Sequence, residues 1–378
     1  MRTILIWGAG RIGRGFVADI FSESPDFEIV FADIDRELVD KLNRNGSYTI
    51  AKATRDGITE RKMTGFRAVH TSDEDALREL FDREDLLLDI AVHEPKVKEV
   101  AGMLAPYLTC RAESGRPMDV MMNVNMARPD VYFFDCMKER LSGKALEYFE
   151  NRVGVTGIFA MCISPLAPDW LKQKDELALW NNGYHEQAIS EPVLKCPAPR
   201  VPRLRLTKDI EREETRKLYT LNMAHGLLCY LGLPLGLSTS AQAVNDPRLR
   251  PVLEKALEES CTGLIHTFGF GREEMDAWKQ TILRLLENPY IEDGLQRLGA
   301  DTRRKLGSAD RLAGPARLCV RAGGKPENLL RALKAGFDYE NPDEGTQAVR
   351  AFCRANGLKA SLAEFSGISE GDELYLFV

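Results

Sequence analysis

Residues 4–16 read ILIWGAGRIGRGF, an apolar run of strand length that stops at a glycine and continues into a helical pattern. Gly8, Gly10 and Gly13 give this stretch the spacing GxGxxG. In a loop between a strand and a helix, the first glycine allows a tight turn and the second lets the backbone approach a pyrophosphate. The third lets the helix pack against the strand. Because both flanking patterns are present, we predict dinucleotide binding rather than a plain turn.

An acidic residue at the end of the next strand pattern narrows the choice of cofactor. Asp33 closes FEIVFAD (27–33), where a carboxylate would bind the adenosine ribose hydroxyls and repel a 2′-phosphate. This favours NAD over NADP, and Arg36 weakens the preference without reversing it. The side chains of Arg11 and Arg14 are as easily solvated as bound to phosphate. The residues expected to line the cofactor are Gly8, Ala9, Gly10, Arg11, Ile12, Gly13, Asp33 and Val92.

The first third of the chain alternates strand and helix patterns. The strand patterns cover 4–8, 27–33, 86–92 and 119–124, and helical patterns cover 11–21, 35–43, 73–81 and 95–108. Residues 46–70 are predicted to leave the core sheet, and nearly everything after residue 206 has a helical pattern. Strands joined by helices predict a parallel sheet. We therefore expect an α/β fold, with an N-terminal Rossmann-type, doubly wound parallel sheet in residues 1–197. A mostly α-helical C-terminal domain would follow in residues 198–378, after a proline-rich connector at 195–202.

Composition excludes several classes of protein. The net charge of −6 over 378 residues argues against a general nucleic-acid binder, which needs a basic surplus. No apolar run reaches the roughly 18 residues of a membrane span, and the apolar N-terminus is too short for a signal peptide. The cysteines are scattered singly, which is typical of reduced thiols and not of a structural zinc site. We expect a cytoplasmic protein with a small-molecule substrate, no metal, and a monomeric or weakly dimeric state.

A second stretch, KLYTLNMAHGLL (217–228), combines an apolar helical pattern with three polar residues. Lys217, Asn222 and His225 follow the spacing K-x4-N-x2-H. On an ideal α-helix they span an arc of roughly 140°, with Lys217 about 12 Å along the axis from His225. Each residue alone has a structural explanation: a lysine at a charged helix start, an amide that caps a turn, a hydrogen-bonded core histidine. All three together, in a chain that binds a nicotinamide cofactor, indicate catalysis.

The chemistry of alcohol oxidation fits these residues. A base must remove the hydroxyl proton while hydride leaves for the nicotinamide. A lysine whose pKa is lowered by burial can act as that base near neutral pH. Amide NH2 groups can stabilise the developing alkoxide.

The chain resembles the long-chain polyol-specific dehydrogenases over nearly its full length. The motifs that carry the resemblance are GAGRIGRGF (8–16), FADID (31–35), RKLYTLNMAHGLLCYLG (216–232), ENPYIED (287–293), RLG (297–299) and RKLGSADRL (304–312). The resemblance implies a two-domain, metal-independent enzyme that interconverts mannitol 1-phosphate and fructose 6-phosphate with NAD(H).

The resemblance also implies roles for individual residues. Lys217 matches the general base, and Asn222 and Asn125 match the two amides of an oxyanion hole. His225 matches the residue that hydrogen-bonds and orients the substrate.

Two basic residues match the positions that hold the distal end of the polyol. These are Arg297 and Lys305, whose charge suits a phosphate. Judged from the residues alone, a solvated helix face is the simpler interpretation of both.

Three departures from the family pattern bear on the substrate. His93 and Glu94 replace a glycine–proline pair, Val124 replaces an acid, and Met161 replaces an aspartate expected near the substrate. Two alternatives therefore stay open. One is a reductase of a non-phosphorylated ketose or a hexuronate, and the other is an NAD-binding sensor with impaired catalysis.

Overall fold

The computed structural model describes residues 1–126, 128–291 and 293–378. The chain divides into two compact units, residues 1–210 and residues 211–378. No helix in the described part of the chain has the length and apolar character needed to cross a membrane.

The N-terminal unit is built on two sheets. The strands are β1 (Arg2–Trp7), β2 (Phe27–Asp33), β3 (Tyr48–Thr54), β4 (Gly57–Met63), β5 (Phe66–His70), β6 (Leu86–Ile90), β7 (Met118–Met122), β8 (Val153–Phe159), β9 (Leu179–Asn181), β10 (Gln187–Ser190) and β11 (Leu204–Thr207). Among the described residues the main sheet has eight strands in the order β11-β10-β8-β7-β6-β1-β2-β5. Its strands from β8 to β5 pair in parallel, and β10 joins β8 antiparallel.

The position of β1 in this sheet explains where a ligand can bind. β1 lies between β2 and β6, so the chain runs outward from β1 in one direction and from β6 in the other. The loop after β1 therefore leaves the sheet at its topological switch point, the usual ligand site of such folds. The N-terminal half of the predicted fold class is confirmed.

Several helices pack against the strands of the main sheet. In the N-terminal unit they are α1 (Ala18–Phe21), α2 (Arg36–Asn45), α3 (Glu74–Asp82), α4 (Val97–Ser114), α5 (Pro129–Lys138), α6 (Gly143–Arg152) and α7 (Asp169–Lys174). A π-helical turn (Gly13–Val17) precedes α1, and a 3-10 turn (Glu94–Lys96) precedes α4. Asp35 and Asp73 begin α2 and α3 by accepting hydrogen bonds from Leu38 N and Ala76 N.

One sequence prediction for this unit needs correction. Residues 66–70 do not leave the core sheet, because β5 pairs with β2 along its length. Only β3 and β4 form the excursion, a hairpin in a small sheet of order β4-β3-β9. Just after the predicted connector at 195–202, β11 pairs with β10 and Arg203 bonds to the buried Asp19.

The C-terminal unit is helical, as predicted. Its helices are α8 (Ile210–Lys217), α9 (Met223–Gly232), α10 (Ser240–Asn245), α11 (Arg250–Phe268), α12 (Arg272–Leu286), α13 (Leu295–Gly299), α14 (Thr302–Lys305), α15 (Ala313–Arg321), α16 (Glu327–Gly336) and α17 (Glu344–Ser366). A π-helical turn (Leu218–Asn222) joins α8 to α9, and 3-10 turns cover Leu233–Leu235 and Tyr375–Phe377. α9 packs against α10, α11, α13 and α16, so it is the central helix of this unit.

Candidate functional site

The glycine loop has the shape that its spacing predicts. Gly8 adopts φ +107°, and a Cβ there would lie 2.4 Å from the carbonyl oxygen of Ala91. A Cβ on Gly13 would lie 2.1 Å from the carbonyl oxygen of Gly8, so the helix could not pack so closely with any other residue. A Cβ on the exposed Gly10 would meet nothing within 4 Å. The open space at Gly10 is where a pyrophosphate would need to approach the backbone.

Asp33 is fixed against this loop by backbone donors. Ala9 N donates to Asp33 Oδ2 at 2.6 Å, and Asp35 N donates to Asp33 Oδ1 at 2.9 Å. These bonds hold the carboxylate at the carboxyl end of β2 beside the loop, the place where an acid meets the adenosine ribose. Arg36 points elsewhere, since its Nη2 lies 3.0 Å from the hydroxyl of Ser72.

The remaining predicted cofactor residues occupy varied environments around the loop. Val92 packs against it, with Cγ1 3.2 Å from the position that a Cβ of Gly8 would take. Arg11 is exposed and Ile12 half-buried. Arg14, in contrast, is not solvated: its Nε donates to Ala9 O at 2.6 Å and its Nη1 to Leu177 O at 2.9 Å. Arg14 therefore braces the loop from inside. The loop, its open face and its carboxylate together fit a dinucleotide such as NAD.

The polar helix of the C-terminal unit is not a regular α-helix. Met223 N donates to Leu218 O, a bond from residue i+5 to residue i, which defines the π turn between α8 and α9. Lys217 precedes this turn and Asn222 ends it. Ideal α-helical geometry therefore does not hold across this turn. Residues five apart lie about 140° apart on an α-helix, whereas a π turn brings them closer to one face.

Cationic side chains surround the third residue of the motif. Burial, together with the positive charges of Arg311, Arg297, Lys217 and Lys305, lowers the pKa of His225 to about 3. Although part of the His225 side chain reaches the surface, every one of these influences disfavours the imidazolium. His225 is consequently a neutral imidazole at physiological pH, suited to hydrogen bonding rather than to proton storage.

The predicted distal residues, Arg297 and Lys305, are both in this cluster. Arg297 is exposed and pairs with Asp293, whereas Lys305 is 9% exposed and donates to Leu298 O at 2.9 Å. Burial, followed by the positive charges of Arg311 and Arg304, lowers the pKa of Lys305 to about 8. The interpretation as a solvated helix face is therefore wrong for Lys305.

Sequence reasoning missed Arg311. The residue is 7% exposed, its Nε donates to Asp310 Oδ1 at 2.8 Å, and its Cδ lies 3.4 Å from the position that a Cβ of Gly226 would take. It thus packs beside His225 and is the strongest charged influence on that imidazole. The only signal in the sequence was its place in RKLGSADRL, a motif that also contains Lys305.

The residues that depart from the family pattern lie in the N-terminal unit, as does Asn125. Asn125 is exposed just beyond β7, after the buried Val124, and His93 is exposed after β6. Met161 is only 2% exposed, and its carbonyl accepts a 2.8 Å bond from Asn182 Nδ2. An apolar side chain is therefore buried where the family pattern has an acid.

Among the described residues, no group of three His, Cys, Asp or Glu side chains is arranged to hold a metal ion.

Comparisons with known proteins cover both units. The family model of the mannitol dehydrogenase Rossmann domain matches residues 2–202, and that of the mannitol dehydrogenase C-terminal domain matches residues 209–369. The chain is 28% identical, over 99% of its length and 96% of the relative's, to a mannitol-1-phosphate 5-dehydrogenase of Caldanaerobacter subterraneus subsp. tengcongensis.

Solved structures share the fold at low sequence identity. A substrate-free D-sorbitol dehydrogenase superposes with a TM-score of 0.78 at 16% identity, covering 95% of this chain and 94% of the other. A Pseudomonas fluorescens mannitol 2-dehydrogenase in ternary complex with NAD and D-mannitol superposes with a TM-score of 0.67 at 16% identity, covering 96% and 86%. Because the two family models together span nearly all of the sequence, this chain belongs to the mannitol dehydrogenase family of NAD-dependent oxidoreductases that act on a secondary alcohol.

Proposed function

We propose that this enzyme interconverts a polyol phosphate and a ketose phosphate, mannitol 1-phosphate and fructose 6-phosphate, with Lys217 as the general base. The observation that carries the proposal is Lys305, a nearly buried lysine among the cations around His225. The relative named as a mannitol-1-phosphate 5-dehydrogenase supports the same substrate.

The charge balance of the cluster favours a phosphorylated substrate. Its two arginines each have a carboxylate partner, Asp293 and Asp310. In the described part of the chain Lys305 forms no ion pair, although it is nearly buried and its ammonium carries a positive charge below about pH 8. A buried cation without an anion in direct contact is costly. A phosphate dianion would supply the missing negative charge and accept several charge-assisted hydrogen bonds.

The residues of the polar helix supply the proton chemistry. In the oxidation direction Lys217, in its deprotonated form, takes the hydroxyl proton as the carbonyl forms. NAD, which the loop from Gly8 to Gly13 and Asp33 would hold, would supply the hydride acceptor. The amide of Asn222 stabilises the alkoxide as it develops, and Asn125 of the N-terminal unit stays the predicted second amide. His225, neutral and held among cations, orients the substrate by hydrogen bonding and takes no part in proton removal.

A comparison of paired substrates tests this proposal. We expect kcat/KM to be much higher for mannitol 1-phosphate than for mannitol, with NADH formation as the assay. Lys305→Gln should lower kcat/KM for the phosphorylated substrate by about 10- to 100-fold, since a hydrogen bond to a charged group contributes roughly 1.5–3 kcal/mol. The same change should hardly affect mannitol.

The matched control is Lys334→Gln, which removes a half-buried lysine of α16. This variant should leave the ratio of kcat/KM for mannitol 1-phosphate to kcat/KM for mannitol unchanged. A wild-type preference for mannitol, or for a hexuronate over both, would overturn the phosphorylated substrate. Absence of turnover with every polyol, ketose and keto-uronate tested would favour the sensor.

A further inference from the structure

The π turn in the polar helix is held by neighbouring helices. A π turn inserts a residue into an α-helix and disturbs its regular hydrogen bonds, and such turns occur frequently at functional sites. Here the turn from Leu218 to Asn222 directly follows the proposed base and ends at the proposed oxyanion amide. Residues of this turn form hydrogen bonds with side chains of α11 and α12 and with the end of α8.

Ser260 of α11 binds the turn directly. Its side chain is fully buried, and its hydroxyl donates to the carbonyl oxygen of Tyr219 at 2.5 Å. The Tyr219 side chain is anchored as well, because its hydroxyl donates to Ala309 O at 3.0 Å. A carbonyl inside the π turn thus receives a donor from outside the helix.

Thr220 and Trp278 form a second pair of contacts. The fully buried Thr220 donates through Oγ1 to Arg216 O at 2.6 Å, and Trp278 Nε1 of α12 donates to the same Oγ1 at 2.9 Å. The Trp278 ring also packs against the Arg216 guanidinium at 4.1 Å. The last turn of α8 is therefore tied to α12, just before Lys217.

We infer that Ser260, Thr220 and Trp278 are positioning residues that hold the π turn, and that the turn aligns Lys217 with Asn222. The spacing K-x4-N places these residues five apart, which suits a π turn and not an α-helix. Loss of the turn would rotate Lys217 away from the amide. The inference rests on the proposed role of Lys217 as the base.

The test compares two buried serines of the same unit. Ser260→Ala should lower kcat by roughly 10- to 100-fold, the scale expected from a small displacement of a catalytic group. The Kd for NAD should not change, and Ser260→Thr, which keeps the hydroxyl, should recover much of the rate. The control is Ser361→Ala, which removes an equally buried hydroxyl that donates to Gly357 O at 3.0 Å in α17. The control should lower Tm by a similar amount and leave kcat near the wild-type value.

Equal kcat values for Ser260→Ala, Ser361→Ala and wild type would overturn the inference. Should Ser260→Ala not fold, Trp278→Phe replaces it, because this change removes the Nε1 donor and keeps an aromatic ring. A wild-type kcat for Trp278→Phe would equally overturn the positioning role. Lys217→Ala separates this failure from failure of the proposed function. If Lys217→Ala keeps full activity, the assignment of Lys217 as the base is wrong. If Lys217→Ala is inactive and Ser260→Ala has a normal kcat, only the positioning role of Ser260, Thr220 and Trp278 is wrong.

Discussion

The ionisation of Lys305 should set an upper pH limit on recognition of the phosphorylated substrate. Burial and the charges of Arg311 and Arg304 lower its pKa to about 8. A lysine with a lowered pKa is a cation below that value and neutral above it, so the attraction for phosphate is present at pH 7 and is lost as pH rises through 8. The phosphate of the substrate is already a dianion over this range, since its second pKa is about 6.

The expected magnitude follows from the charged fraction of Lys305. Between pH 7 and pH 9 that fraction falls from about nine-tenths to about one-tenth, given a pKa near 8. The kcat/KM for mannitol 1-phosphate should therefore fall about 10-fold relative to that for mannitol. The ratio of the two substrates is the proper measure, because effects of pH on the base and on NAD cancel in it.

Lys305→Arg is the control for this prediction. Arginine stays charged at pH 9, so the ratio between substrates should become flat over the same range. A ratio that does not change with pH in the wild type, or that falls equally in Lys305→Arg, would refute the assignment of Lys305 to the phosphate.

Three further predictions concern the loop, the imidazole and the sheet. Gly10→Ala should fold normally and weaken NAD binding by an order of magnitude or more. Gly8→Ala should lower Tm, because a Cβ clashes with the backbone at Gly8 and not at Gly10. Equal Tm values for the two variants would contradict this. His225, with a pKa of about 3, should add no ionisation to the kcat/KM profile between pH 5 and 8, so an ionisation there that disappears in His225→Gln would show that the imidazole titrates. Burial raises the pKa of Asp89 in β6 to about 8, although a hydrogen bond donated by Asn123 acts to lower that pKa. The unfolded chain therefore releases this proton at lower pH than the folded chain, and stability is lost as pH rises. The gain in unfolding free energy from Asp89→Asn should grow by about 1.4 kcal/mol per pH unit between pH 5 and 7, and a gain independent of pH in denaturant titrations would contradict it.

Local patterns predicted the cofactor half of the protein well. The glycine spacing, the strand before it and Asp33 are all short-range features, and a parallel sheet follows from alternating strands and helices. β5 was missed because a short edge strand in a turn-rich stretch has little pattern of its own, and its pairing with β2 is a long-range contact. Arg14 was misjudged for a similar reason, since one of its carbonyl partners, Leu177, is distant in sequence.

The substrate half was predicted only in part. An extra residue in one helical turn hardly alters an apolar pattern of threes and fours, so the π turn before Asn222 is invisible to periodicity. Arg311 follows Asp310 in sequence, which suggests a solvated pair. Its burial beside His225 is set by how α9 and the segment before α15 pack.

Replacement of Lys217 tests the central claim most directly, with Lys334 as a half-buried lysine of α16 for comparison. Lys217→Ala should lower kcat for mannitol 1-phosphate oxidation by roughly 100- to 10,000-fold while the Kd for NAD stays at the wild-type value. Lys334→Ala should change neither quantity. A Lys217→Ala enzyme whose kcat lies within a few-fold of the Lys334→Ala enzyme would contradict the account.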